Sequence, residues 1–395
     1  MNTEHLTMAR ALVREAHAHG GLAPVDLDRF WADQAAAAAD SFGPAIPQVP
    51  LGIMMSGECV YAELGIPEDY GRYERDPAWR LGLHKAYNDL SERIVGRRLV
   101  GEAAEDPSRR YPAVKALHDV FEARNVWNAG SWWLEQSAHT PDELEALLDR
   151  VDRRDIRGFI LPPGWEREKQ RLTALGVQPP LYRWQRGPVT FATSIYGPEN
   201  LIFLIMDRPA LAVRLRDTML RTMLEIGRVQ DEEAGFTPET APRGFGFADD
   251  NCALLNPDMY EFFGYPVLKG MFDRYAPAPE NWRFQHSDSA MAHLLPLLGR
   301  LHLTGVNFGP TVTVRDIRTH LPRAVIHGQL APFTFSRNDE EGMVTEFLRD
   351  FEQARDSRGL LFNTAGSINN GSRLTGMRLL MAAIQRYGRY DYCNS

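Results

Sequence analysis

Apolar residues along the chain fall into short runs, each followed by a stretch in which they recur at helical spacing. Residues 282–289 show the pattern most clearly. Trp282-Arg283-Phe284-Gln285 reads as a short strand, His286-Ser287-Asp288-Ser289 as a polar knot at its C-terminal end, and 290–301 as a helix. The same order recurs elsewhere: residues 244–248 run into Asp249-Asp250, 305–306 into Asn307, 324–326 into His327-Gly328-Gln329, and 360–362 into Asn363. Parallel strands joined by helices present such ends on one side, so the knots are predicted to line one pocket.

The rest of the chain fits the same alternation. Residues 1–44 read as a helical extension closed by Gly43-Pro44, and 45–395 as the main domain. Strands are expected at 49–55, 125–130, 158–161 and 188–195, with helices at 113–123, 166–175, 313–320, 339–355 and 373–387. Pro209 opens the longest helix, to about 233, and Asn256-Pro257 opens another. Thr140-Pro141-Asp142-Glu143 is a helix start with its own capping residues. The polar and aromatic stretch 58–107 is too long for a tight connection and reads as a lid or pocket wall. The predicted fold class is α/β, a TIM (β/α)8 barrel with an N-terminal helical extension; a doubly wound open sheet would give the same alternation.

Composition narrows the function. With 395 residues, 44% of them hydrophobic, the chain can bury a large core. The net charge is -8, and Lys and Arg are scattered, which argues against nucleic acid or an anionic membrane as partner and for a small-molecule substrate. No run of 18 apolar residues and no basic-then-apolar start occurs, so a cytoplasmic location is expected. Cys59, Cys252 and Cys393 form no Cys-x-x-Cys pair and are expected as reduced thiols. Neither G-x-G-x-x-G nor a Walker pattern follows a strand, so no nucleotide cofactor is indicated.

Two knots carry candidate chemistry. His286 and Asp288 are either a metal-ligand pair or a histidine oriented by a carboxylate for acid/base work; the alternative is a rim histidine beside a helix-capping aspartate. Asp249 and Asp250 are paired acids whose environments can drive their pKa values apart, although either can simply cap a turn. Cys252 stands close enough in sequence to be a thiolate ligand or a buried inert thiol. Asn307, Gln329 and Asn363 are candidate substrate-binding residues at their strand ends. Trp132, with Trp127 and Trp133, offers an aromatic wall for a flat ligand or core packing.

The order of these motifs resembles the uroporphyrinogen decarboxylase superfamily, which includes corrinoid- and thiol-dependent methyltransferases and is similar to the barrel of cobalamin-independent methionine synthase. Gly187-Pro188-Val189-Thr190-Phe191 resembles the family's Gly-x-Pro-Trp-Thr-Leu segment. Phe247-Ala248-Asp249-Asp250 with Leu255-Asn256-Pro257 resembles its Asp-bearing strand and following helix start. His286, His327-Gly328-Gln329-Leu330-Ala331-Pro332 and Phe362-Asn363 match later signatures. The resemblance implies a TIM barrel with its pocket at the C-terminal mouth, and Tyr196 as a substrate-binding residue near the place of the family tyrosine. Departures redirect the chemistry. The arginine-bearing Met-Arg-Gln-Ala-Gly-Arg segment is replaced by Met54-Met55-Ser56-Gly57, and a late signature histidine by Gly366, so decarboxylation of uroporphyrinogen itself is not expected. The methyltransferase zinc site, His-x-Cys plus a later Cys, becomes His286-x-Asp288 with Ala365 in the later place. A His and carboxylate site for zinc or a similar divalent ion is what remains, completed by Asp249 or Asp250. The resemblance thus implies a methyltransferase-like enzyme handling a corrinoid, folate or thiol. The alternatives are a decarboxylase of a smaller acid and a non-catalytic corrinoid- or tetrapyrrole-binding barrel. A corrinoid protein and a second copy of the chain are the macromolecular partners left open.

Overall fold

The computed structural model describes residues 2–104, 106–128 and 131–390, and the chain divides into two units, Asp106–Thr304 and Met1–Glu105 with Gly305–Ser395. In the first of these, β1 (Asn125–Asn128) and β2 (Ser131–Leu134) pair antiparallel, with Trp127 opposite Trp132. The expected strand at 125–130 is therefore one arm of a hairpin and no part of a parallel sheet; its last two positions, Ala129 and Gly130, lie outside the described residues, as does Cys393. β3 (Trp184–Arg186), β4 (Phe245–Ala248) and β5 (Arg283–Ser287) run parallel, with Arg186 in register with Ala248 and Ala248 with His286. Alternation along β4 sends Phe245 and Phe247 onto Tyr275 and Phe272 of the Pro257–Tyr275 helix, each with ring centroids 5.7 Å apart. Gly246 and Ala248 consequently face the other way.

Four other expectations in this unit are corrected. Residues 188–195 are not a strand but the helix Pro188–Tyr196, nearly all of it buried. Pro188 sits at the first helical turn, where its missing N–H costs nothing, and a helix apolar all round shows no amphipathic period to distinguish it from a buried strand. Residues 158–160 fall in the short helix Ile156–Ile160, with Leu161 at its C-cap; five residues are too few to display a helical period in the sequence. The helices expected at 113–123 and 290–301 shrink to Leu117–Val120 and to a 3-10 turn, Ala292–Leu294, leading into Leu295–Gly299. The caps at Thr140 and Asn256 form as expected, each side chain accepting an N–H from Glu143 and Met259 respectively.

In the other unit, β6 (Gly305–Phe308), β7 (Val325–Leu330) and β8 (Leu360–Thr364) are parallel neighbours. The 49–55 segment lies alongside β8 as extended chain, bridged at Leu51 to Phe362, with Gly52 N–H donating to the Phe362 carbonyl at 2.7 Å. Pro47 and Pro50 remove donors that a longer ladder would use. The stretch 58–107, read as a lid or pocket wall, is largely helical. It folds into Val60–Leu64, Tyr70–Arg75 and Pro77–Val95, the last two capped by Asp69 and Asp76. Helix Thr3–Ala18 buries Ala9, Leu12, Val13 and Ala16, packing on Glu340–Ala354 and Leu374–Tyr387. Met377 and Met381 form part of the buried face of that last helix. Among the described residues no single helix is long and apolar enough to cross a membrane.

Candidate functional site

The ends of β4 and β5 bring three of the predicted residues together. His286, one residue before the end of β5, points its Nε2 at Asp288 Oδ1, 2.8 Å away, and at Asp250 Oδ1, 3.6 Å away. Asp250 begins the 3-10 turn that follows β4. The Asp288 N–H donates to Asp250 Oδ1 at 3.0 Å, so the two loops are tied to each other through the same carboxylate that faces the imidazole. One ligand-type atom from each residue lies within 4.8 Å of the others. The His286 side chain is 20% exposed and the two carboxylates 43% and 46%. Two carboxylate oxygens converging on one ring nitrogen call for positive charge between them, supplied by a proton on Nε2 or by a cation in its place. One imidazole and two carboxylates suit zinc or a harder divalent ion rather than a sulfur-loving one.

Asp249 is placed quite differently from its neighbour. It is fully buried, its Oδ1 accepts the Thr190 N–H at 2.8 Å, and its Oδ2 has no described partner. Burial pushes its carboxyl up to about 7, with the Asp250 charge adding to the effect. A Cβ at Gly187 would sit 2.2 Å from the Asp249 Cβ, so glycine is required there for the carboxylate to reach the start of the Pro188–Tyr196 helix. Asn251 extends the same seam, donating from its backbone to Thr190 Oγ1 and from Nδ2 to Thr193 Oγ1 at 2.7 Å. Asp249 thus pins β4 to a helix and stands behind the exposed triad. Cys252 is also buried, its Sγ 3.5 Å from Ser287 Oγ, and burial raises its thiol far above the usual range. It contributes no thiolate to the cluster.

The remaining predicted residues are dispersed. Tyr196 is buried at the end of its helix, where burial raises its phenol. Trp132 stands 50% exposed on the hairpin, edge-on to Trp127 at 5.2 Å. In the other unit, Asn307 is buried and its Nδ2 donates to the His327 and Thr364 carbonyls, while the Gln329 Nε2 donates to those of Gly309 and Val312. Asn363 Oδ1 accepts the Thr364 N–H at 2.8 Å.

Two features on the His286 face escaped the sequence. Arg186 occupies its row, in register through Ala248. One step earlier on the same face, Trp184 and Phe284 flank Gly246, and with Trp282 they form a stack whose neighbouring centroids lie 5.5 to 6.2 Å apart. Gly246 makes room for it, since a Cβ there would come within 2.4 Å of the Trp184 ring. Arg186 was findable: it immediately precedes Gly187-Pro188, a helix-start signal that makes it a strand's last residue. A groove of about 580 Å³ lies elsewhere, along the Pro209–Glu233 helix, lined by Leu220, Leu224, Arg228, Phe236 and Arg274 among others. Its Arg228 is held by Glu225 and Glu232, and nothing in it resembles the triad.

Comparison with known proteins places the chain. The sequence model of the family described as uroporphyrinogen decarboxylase (URO-D) matches residues 168–387. A search of curated proteins finds no match. Among solved structures, a methyltransferase from Methanosarcina mazei is similar in fold, with a TM-score of 0.53 and 16% sequence identity, the similarity covering 89% of this chain and 96% of that one. The family match spans more than half of the chain and contains the strands that carry Asp250, His286 and Asp288. The chain belongs to the uroporphyrinogen decarboxylase family, and its α/β fold is the TIM barrel of that family.

Proposed function

We propose that this chain is a small-molecule enzyme of the methyltransferase-like kind, moving a methyl group to or from a corrinoid, folate or thiol, with Asp250, His286 and Asp288 as its reacting centre. The convergence of those three side chains within 4.8 Å is the observation that carries the reading. His286 Nε2 with one oxygen from each aspartate would hold a divalent ion, which when bound would polarise an acceptor thiol or hydroxyl toward its anion. The exposure of both carboxylates leaves room for an acceptor beside them. The Asp288 N–H to Asp250 bond keeps both loops in place when the acceptor's proton leaves. Asp249 acts as a positioning residue, keeping the end of β4 against the Pro188–Tyr196 helix. A corrinoid protein as methyl donor and a homodimeric state belong to the same proposal.

The test combines metal analysis with a methyl-transfer assay, using methylcobalamin as donor and a simple thiol as acceptor. The expected result is about one divalent ion per chain and a cobalamin absorbance change abolished by chelation and restored by zinc. Full turnover after chelation would sink the metal-assisted form. A second reading, decarboxylation of a small acid, is favoured by the half-buried His286–Asp288 pair, which can exchange a proton without a metal. Release of carbon dioxide that is indifferent to chelation selects it; neither activity, with tight corrinoid binding, selects a non-catalytic barrel.

A further inference from the structure

Arg186 is the last residue of β3, two strands from His286 in the same row. Neighbouring strands lie about 4.8 Å apart, so the two backbones are roughly 10 Å apart, with Ala248 between them in the row. Phe245 and Phe247 fix the helix-facing side of β4, and Arg186, Ala248 and His286 share the other. The half-buried guanidinium donates from Nη1 to Ser194 Oγ at 3.1 Å, and no described carboxylate pairs with it. A guanidinium carries five N–H donors in a fork matched to a planar anion, and most of these are unused. The adjacent helix start does not supply a second anion site, because Asp249 already takes the Thr190 N–H. A single guanidinium fork suits a singly charged carboxylate better than a phosphate dianion. At the other end of the row, Asp250 and Asp288 repel the same anion, which fixes the direction of binding.

We propose that Arg186 captures a carboxylate of the substrate, so that the substrate is a small carboxylic acid lying across Ala248 with its reacting group at the His286 end. The reacting-end assignment rests on the proposed function; the anion capture does not. The probe is 4-fluorobenzoate against 4-fluorobenzamide, followed by fluorine NMR on the full chain at neutral pH with a chelator present. The acid should bind saturably and the amide should not. Arg186→Met should weaken the acid at least about tenfold, and Arg186→Lys by less. Arg274→Met, in the groove along the Pro209–Glu233 helix, should leave binding within about threefold of wild type. A second measurement needs no variant: phenylglyoxal modification of Arg186, read by peptide mass spectrometry, should slow when 4-fluorobenzoate is present. Equal binding of acid and amide, an unchanged affinity in Arg186→Met, or no protection of Arg186 overturns the proposal. Acid binding that is lost in Arg186→Met, with methyl transfer absent in every protein, would refute the proposed function alone.

Discussion

Polar residues close the strands of both units, yet they do opposite things. At the ends of β6 and β7, the amides of Asn307 and Gln329 are buried and donate to main-chain carbonyls that a loop would otherwise leave bare. At the ends of β4 and β5, Asp250, His286 and Asp288 turn to one another at half exposure. An amide is neutral and can be enclosed once its hydrogen bonds are met, whereas two carboxylates around one imidazole keep a net charge that is costly to enclose. The same strand-end position therefore serves as mortar in one place and as a reactive surface in the other, and residue type decides which. Asp249 and Asp250 compress the contrast into adjacent positions: one is sealed behind the sheet and the other half in water.

The largest expected effect is at the reactive surface. His286→Ala should lower turnover by roughly 10²-fold or more and abolish divalent-ion binding in calorimetry, with a melting temperature near wild type. An active but unstable His286→Ala protein would put this strand end with the mortar. Asn307→Leu should do the reverse. It leaves the His327 and Thr364 carbonyls without their donor, costing about 2–4 kcal/mol in denaturant unfolding. Asp250→Asn, in the exposed cluster, should shift stability by no more than about 0.5 kcal/mol; comparable losses in the two variants would erase the contrast.

Asp249 offers a subtler division. Its carboxyl is raised to about 7 in the folded chain, while in the unfolded chain it ionises near the usual 3.8. Between those values the native state holds a proton that the unfolded state has lost, so the contribution of this group falls as pH rises from about 4 to about 7 and is flat above. Asp350 in the other unit, also buried and raised to about 7, acts in the same sense. Asp249→Asn should therefore make the decline of stability between pH 4 and 7 shallower without removing it, as measured by urea midpoints across that range. An unchanged slope would mean that Asp249 is ionised where it lies. The smallest effect is expected at Trp132→Ala on the exposed hairpin, within about 0.5 kcal/mol of wild type.

Strand ends marked by a polar knot were legible in the sequence because an abrupt change from apolar to polar needs no periodicity to be seen, and β4 and β5 announce themselves so. The same sign located β6, β7 and β8, but Asn307, His327 to Gln329 and Asn363 lie inside those strands, which run on to Phe308, Leu330 and Thr364. The pairing of His286 with Asp288 was legible for the same reason. What stayed hidden was the partner brought from another strand: choosing Asp250 over Asp249 depends on which way the chain turns after Ala248. The Thr190 N–H decides that turn, from a helix that reads as a strand because Val189, Thr190, Thr193 and Ile195 are β-branched and every face is buried. Moving that strand back to Trp184–Arg186 is also what exposes Arg186 as a member of the row.

The thiol of Cys252 sits behind the reactive corner, enclosed with Ser287 and held far from ionisation. An alkylating reagent can reach it only in the fraction of molecules whose β4 and β5 ends have parted, and it reacts only through the thiolate. The residue is in effect a clock fixed inside the hinge of a door. Its rate of capture, followed as a mass increase on one peptide, counts how often this corner breathes and how much a bound acid or metal ion quiets it.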